Sequence, residues 1–179
     1  TNLNTLLHGQ PIALTTGVDG FNTFAVYDNV FKNTSGSAIV YPQGVPLTGI
    51  DFYNNLIFED GTQAANAGLS AILTGNCPNG IVDTMHAYGN TMANLKGNWD
   101  ANTGFTDKGG SCSAGWTIEN NLWFNSNQVG MSGAMIALHD YNTIWNTPLA
   151  SGTVLGPNEG QTNAGSPDPF LDDVTGDDY

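Results

Sequence analysis

The chain has no arginine and only three lysines among its 179 residues. Its 16 aspartates and glutamates give a formal net charge of −13. Because such a surface repels phosphate groups, we expect neither nucleic acid nor an anionic membrane surface as a partner. Cations, and Ca²⁺ above all, are the complementary ions.

Charged residues of both signs together make up only 11% of the chain, and no apolar run is long enough to span a membrane. The scarcity of Glu and Lys excludes a coiled coil, and the 40% hydrophobic content excludes an acidic disordered chain. Polarity is supplied instead by Asn, Thr, Ser and Gly. The composition and length predict one folded domain without membrane insertion.

Cysteine is also rare, since only Cys77 and Cys112 are present. Both lie in stretches rich in Gly, Ser, Asn and Pro. A disulfide between them would close a loop of about 35 residues and stabilise the fold by roughly 3–4 kcal/mol. The alternative is two unpaired thiols. A disulfide favours an oxidising compartment, so we expect a secreted or cell-surface protein.

A repeated phrase of the form apolar-x-apolar-x-x-Asn-x-apolar organises the chain. Its copies are centred on Asn29, Asn55, Asn90 and Asn121 and recur at intervals of about 30 residues. Each copy reads as a strand, a bend and a second strand. Apolar segments at 37–41, 69–74 and 134–138 predict a third strand. The period predicts an all-β solenoid with three short strands in each turn.

Three regions follow from this pattern. Residues 1–20 are predicted to cap the amino end, and residues 21–148 to form the solenoid. Within the solenoid, residues 93–115 are predicted to be an inserted loop. The Gly- and Asp-rich residues 149–179 are predicted to form an acidic tail.

The repeated phrase and its Gly-x-Ala-Ile partner, seen in residues 36–39, resemble right-handed parallel β-helices of the pectate-lyase-like superfamily. The stretch from Pro167 to Tyr179 is similar to the segment that follows the last coil in many secreted β-helix proteins. The resemblance implies a right-handed, single-stranded parallel β-helix of about five coils. Lyases, hydrolases, epimerases, adhesins and phage spikes share that fold, so the resemblance leaves the activity open.

In such a fold Asn29, Asn55, Asn90 and Asn121 would stack in one column, with rungs about 4.8 Å apart. Stacked amides can bond to one another and to the bend backbone, which is a structural role.

Tyr27, Tyr53 and Tyr88 lie two positions before three of these asparagines, and strand alternation places them on the outer surface. An exposed aromatic column suits sugar rings, and Trp99 in the predicted insertion is a fourth candidate for binding a glycan. The alternative is that the tyrosine rings stack on one another and cover the sheet.

Catalytic candidates are few. Asp51 and His86 should be neighbours on adjacent rungs, and His139 and Asp140 form a second carboxylate–imidazole set. The alternative for such exposed pairs is a surface ion pair. Lyases of the superfamily use Arg or Lys, whereas this chain has no arginine.

No cofactor is expected to be required. The tail supplies closely spaced carboxylates that suit Ca²⁺, although no EF-hand pattern is present. These residues are Asp168, Asp172, Asp173, Asp177 and Asp178. The alternative is a solvated acidic tail.

The sequence therefore predicts a non-catalytic extracellular or cell-surface β-helix that acts as a structural, adhesive or glycan-binding module. The open ends of a solenoid add a further hypothesis, a self-assembling fibre subunit that docks on copies of itself by strand addition. A tail folded over the last rung is the alternative for that end. The alternative function is a polysaccharide lyase or glycoside hydrolase, or a fragment of one.

Overall fold

A computed structural model describes residues 12–15, 23–34, 38–43, 47–62, 73–75, 82–95, 104–107, 115–129, 131–132, 138–149 and 154–162. The regular structure in these ranges consists of sixteen β-strands, and none of these residues is helical. No helix in this part of the chain is therefore available to cross a membrane. Every strand belongs to one of three sheets, and all strand pairs are parallel. The predicted all-β class with parallel strands is confirmed.

Sheet A consists of five short strands. In spatial order it contains β1 (Ile12–Thr15), β4 (Val40–Gln43), β7 (Leu73–Gly75), β10 (Phe105–Asp107) and β13 (Met131–Ser132).

Sheet B contains the first arm of each repeated phrase. Its strands are β2 (Phe24–Tyr27), β5 (Leu47–Tyr53), β8 (Val82–Tyr88), β11 (Gly115–Glu119) and β14 (Leu138–Asp140).

Sheet C contains the second arm. Its strands are β3 (Val30–Lys32), β6 (Leu56–Phe58), β9 (Thr91–Ala93), β12 (Leu122–Phe124), β15 (Thr143–Trp145) and β16 (Gly160–Thr162).

The chain visits sheets A, B and C in this order five times and then adds β16 to sheet C. Each strand pairs with the strand one repeat later, as when Ile50 of β5 lies beside Met85 of β8. The period in the sequence therefore corresponds to one pass through the three sheets. Side chains one period apart form columns across each sheet.

Three predicted boundaries differ from the structure. The stretch 93–115, predicted to be an inserted loop, contains β10, which pairs with both β7 and β13. Likewise, β1 lies within the predicted cap and β16 within the predicted tail. These strands are only three or four residues long, so they carry too little alternation to be recognised from sequence.

The core lies between the sheets and is built from columns of inward-facing side chains. Phe52, Trp116 and Trp123 are fully buried in it. Phe105 packs edge-on against both Phe52 and Trp123, with ring centroids 6.2 and 6.3 Å apart. Ala87 lies between Phe52 and Ile118 in one column, so a small residue offsets the large neighbours.

Sheet C is apolar on its outer face as well. Phe58, Ala93 and Phe124 form a second buried cluster there, and Trp145 stacks on Phe124 at 4.6 Å. In the middle strands β6, β9 and β12 both faces are therefore largely removed from water, whereas the end strands β3 and β16 are exposed. Sheet B differs, because most of the outward-facing side chains of β5, β8 and β11 are polar or aromatic and partly exposed.

The bends between sheets B and C share a left-handed residue. Asp28, Asn54, Gly89, Asn120 and Tyr141 have φ values between 52° and 64°, and each directly precedes an asparagine. Asp, Asn and Gly tolerate this conformation better than other residues do. The repeat therefore supplies residue types that favour the bend. The bend places the following asparagine at a fixed position on every pass.

Candidate functional site

The asparagines of the bends form a continuous ladder of side-chain hydrogen bonds. Asn29 donates to Asn55 at 3.1 Å, Asn55 to Asn90 at 3.0 Å, and Asn90 to Asn121 at 2.8 Å. Asn121 then donates to Asn142 at 3.0 Å. The structure thus brings together the four asparagines singled out in the sequence and adds a fifth, Asn142.

The ladder also satisfies the backbone. The Oδ1 atom of Asn90 accepts the backbone N–H of Asn55 at 3.0 Å, and its Nδ2 atom donates to the carbonyl of Phe52 at 2.8 Å. The same two contacts recur on the neighbouring rungs. Since buried polar groups need partners, these amides hold the bends in place. The hydrogen-bonding groups of these amides are therefore used within the fold rather than for a ligand.

Tyr27, Tyr53 and Tyr88 form a stack on the outer face of sheet B. The ring centroids are 5.0 Å apart for Tyr27 and Tyr53 and 4.9 Å apart for Tyr53 and Tyr88, and the planes differ by 2° in both pairs. The side chains face solvent, with Tyr27 50% and Tyr88 41% exposed.

The spacing decides how the rings are arranged. Carbon atoms in contact lie roughly 3.5 Å apart, and coplanar rings placed side by side would need a much larger centroid distance. Each ring therefore covers a face of its neighbour. The surface offered to a ligand consists of the hydroxyl-bearing edges of the three rings and the outer faces of the two end rings.

The stack changes the acidity of its central member. Partial burial between the rings raises the pKa of Tyr53 above its ordinary value, and the hydroxyls of Tyr88 and Tyr27 raise it further. The nearby carboxylates of Asp28 and Asp51 act in the same direction. The Tyr53 hydroxyl can therefore serve as a hydrogen-bond donor as well as an acceptor at neutral pH.

Asp51 and His86 lie beside the stack, on adjacent rungs of sheet B. The Nδ1 atom of His86 is 3.4 Å from Oδ1 of Asp51, and the two side chains are 60% and 41% exposed. Among the described residues, no third group hydrogen-bonds to either side chain. The contact is a solvent-screened surface pair, and it lacks the positioned partner that organises general acid–base catalysis.

His139 and Asp140 do not pair with each other. The Nδ1 atom of His139 is 3.0 Å from Oε2 of Glu159, whereas Asp140 accepts hydrogen bonds from the backbone and side chain of Asn158 at 2.7 and 2.8 Å. Burial alone would raise the pKa of Asp140, but the bonds from Asn158 and the backbone N–H of Tyr141 outweigh it, so the pKa lies below its ordinary value. Both residues hold a structural segment in place.

That segment is the carboxyl cap, residues 154–162. The side chain of Glu159 is fully buried and accepts hydrogen bonds from Asn142 and from the backbone N–H of Gly156. Leu155 packs against the core, and β16 extends sheet C. Of the two alternatives for the carboxyl end, this part of the chain takes the folded-over form. Sequence reasoning missed Glu159, whose only signal is the turn sequence Pro157–Gly160.

Several predicted site residues lie outside the described residues. They are Trp99, the cysteines Cys77 and Cys112, and the tail carboxylates Asp168, Asp172, Asp173, Asp177 and Asp178. Within the described ranges, no group of three or more His, Cys, Asp or Glu side chains is arranged to hold a metal ion.

No protein-family model matches the chain, and neither a curated protein nor a solved structure is significantly similar to it. The candidate site is therefore defined by its own geometry. We call it the tyrosine face, the outer side of sheet B that carries Tyr27, Tyr53, Tyr88, Asp51, His86 and Glu119.

Proposed function

We propose that the chain is a right-handed, single-stranded parallel β-helix of five coils with three strands in each coil, related in fold to the pectate-lyase-like superfamily. The fivefold passage through sheets A, B and C supports this proposal. Connections between parallel strands of one sheet are right-handed in nearly all proteins, which favours that hand. The asparagine ladder supplies the inter-coil bonding that such a stack needs.

The function that this geometry supports best is binding of an extended carbohydrate by a non-catalytic module on the outside of a cell or in secreted material. One observation carries the proposal, the aligned tyrosine stack with its exposed outer edge. An extended chain laid across the strands would meet one tyrosine hydroxyl on each rung. Equatorially linked pyranose rings advance by nearly the same distance per sugar, so the hydroxyls and the sugars stay in register.

Two kinds of contact would hold the sugar chain. Phenol hydroxyls can donate to and accept from sugar hydroxyls, and the C–H groups of a sugar can pack on the free faces of Tyr27 and Tyr88. Asp51 and His86 lie one column away and can extend the hydrogen bonding. Both side chains are exposed to solvent, which supports a binding role rather than a catalytic one.

Affinity measurements with soluble oligosaccharides of several linkages test this proposal. The Tyr53→Ser variant removes the centre of the stack, and we expect affinity to fall by roughly twofold to tenfold, in line with about 0.5–1.5 kcal/mol for an aromatic contact. Tyr141→Asn is the matched control, because Tyr141 is 56% exposed, lies outside the stack and has a left-handed φ that Asn tolerates. Carbohydrate binding is refuted if no oligosaccharide binds, or if the two variants behave alike.

A further inference from the structure

We propose that the tyrosine face selects a cationic sugar chain, an oligomer of amino sugars, and that Tyr88 and Glu119 together hold one of its ammonium groups. This inference rests on the proposed carbohydrate binding and adds the chemical class of the ligand. It arises from how the tyrosine stack ends and from the charges around it.

The stack ends at Tyr88, and the next position in the same column is Glu119. The register of β8 and β11 pairs Tyr88 with Glu119 directly, so the two side chains stand one rung apart, about 4.8 Å along the sheet. Within the described ranges, no further aromatic ring covers the Glu119 side of Tyr88. Among the described residues, none hydrogen-bonds to or pairs with the Glu119 carboxylate.

An open aromatic face next to an unpaired carboxylate is complementary to an ammonium group. The ring attracts a cation through its quadrupole, and the carboxylate adds charge-assisted hydrogen bonding. A neutral sugar would gain only the packing part of this arrangement. A uronate would meet Glu119 with charge of the same sign.

Other carboxylates near the tyrosine face add further negative charge. The carboxylates of Asp28 and Asp51 lie close enough to Tyr53 to act on it electrostatically. Lys32 is the one lysine in the described ranges, and it pairs with Asp60 at 2.9 Å at the far end of sheet C. With a net charge of −13 for the whole chain, a polycation is attracted both locally and at long range.

Calorimetric titration of the intact chain with four soluble oligomers of equal length tests the inference. The probes are oligomers of glucosamine, N-acetylglucosamine, glucose and galacturonate, each measured at slightly acidic pH in low and high salt. We expect glucosamine oligomers to bind most tightly and galacturonate oligomers least. We also expect the advantage of glucosamine to shrink in high salt, because screening weakens exposed charges.

Glu119→Gln should weaken glucosamine binding by up to about fivefold, as expected for an exposed charge pair, and should weaken N-acetylglucosamine binding less, so that the preference for glucosamine shrinks. Asp60→Asn is the matched control, since it removes one carboxylate from another surface and should change neither affinity.

Equal affinity for glucosamine and N-acetylglucosamine oligomers would overturn the inference while leaving carbohydrate binding intact. Equal effects of Glu119→Gln and Asp60→Asn would also overturn it, because they would show a general charge effect. Failure of all four oligomers to bind would instead remove the proposed function itself.

Discussion

Replacement of Asn90 by Leu tests how much stability the asparagine ladder provides. Asn90 is 1% exposed, and its side chain makes four hydrogen bonds, two as donor and two as acceptor. Leucine has a similar size and makes none of them. The backbone N–H of Asn55 then loses its acceptor inside the protein, and the carbonyl of Phe52 loses its side-chain donor.

The expected cost follows from these losses. A buried donor left without an acceptor costs about 1–3 kcal/mol, and loss of the remaining bonds adds a smaller amount. We therefore expect Asn90→Leu to lower the free energy of unfolding by about 2–4 kcal/mol, which is a large part of the total for a typical domain. In a chain of this length, the melting temperature should fall by roughly 5–15 °C.

Asn29→Leu is the matched control. Asn29 lies at the exposed start of the ladder, and its side chain donates to Tyr27 and Asn55 without being enclosed. Water can replace those partners, so we expect a loss below about 1 kcal/mol. Urea unfolding followed by the fluorescence of the buried tryptophans measures both variants. Equal losses, or a more stable Asn90→Leu protein, would refute the structural role of the ladder.

Two further predictions concern the bends and the carboxyl cap. Gly89→Ala should destabilise the protein by about 1–2 kcal/mol from its left-handed φ and by more because the new Cβ would lie 2.8 Å from Oδ1 of Asn54. Gly61 also has a left-handed φ, but the space around it is open. Thermal melts should therefore show a smaller loss of stability for Gly61→Ala than for Gly89→Ala. The reverse order would contradict the described packing. The lowered pKa of Asp140 means that its stabilising effect is present above the ordinary carboxyl pKa and is lost as the pH falls through the folded-state value. Unfolding curves at a series of acidic pH values should therefore show Asp140→Asn becoming less different from the unaltered protein as the pH falls, and a constant difference would argue against the bonds from Asn158.

The repeat itself could be predicted because it combines two independent signals. Alternating apolar residues such as Val26 and Phe52 identify the strands, and the asparagine after the bend gives their register. The unequal intervals between copies do not hide this, since the lengths of the connecting segments vary while the bend stays constant. Asn142 was missed because its copy has His139 at the inward position where the other copies have an apolar residue such as Ile118.

The position of the tyrosines could also be predicted, but not their arrangement. Alternation places Tyr27, Tyr53 and Tyr88 on one face, and either stacked or separate rings are consistent with that placement. The centroid distances of 5.0 and 4.9 Å show that the rings are stacked. That outcome depends on side-chain rotamers, which a sequence pattern does not specify.

His139 and Asp140 lie on opposite sides of sheet B, as strand geometry would have indicated. Adjacent residues of a strand point to opposite sides of the sheet. In β14, His139 is in register with the inward-facing Ile118, and Asp140 with Glu119 on the outer side. Their proximity in sequence therefore excludes, rather than favours, a shared site on one face.

The carboxyl cap limits where this molecule can meet a partner. Strand addition beyond β14 would require residues 154–159 to leave the last rung, and Glu159 would lose its contacts with Asn142 and with His139. Gly156 packs so tightly against the carbonyl of His139 that a Cβ would not fit there. Because displacement of this segment would break these hydrogen bonds and expose Leu155 and the end of the core to water, the cap opposes extension of sheet B from the carboxyl end. The tyrosine face is not enclosed in this way, so the proposed binding there would leave the hydrogen bonds of the fold intact, and this face is favoured over the carboxyl edge of sheet B as the binding surface.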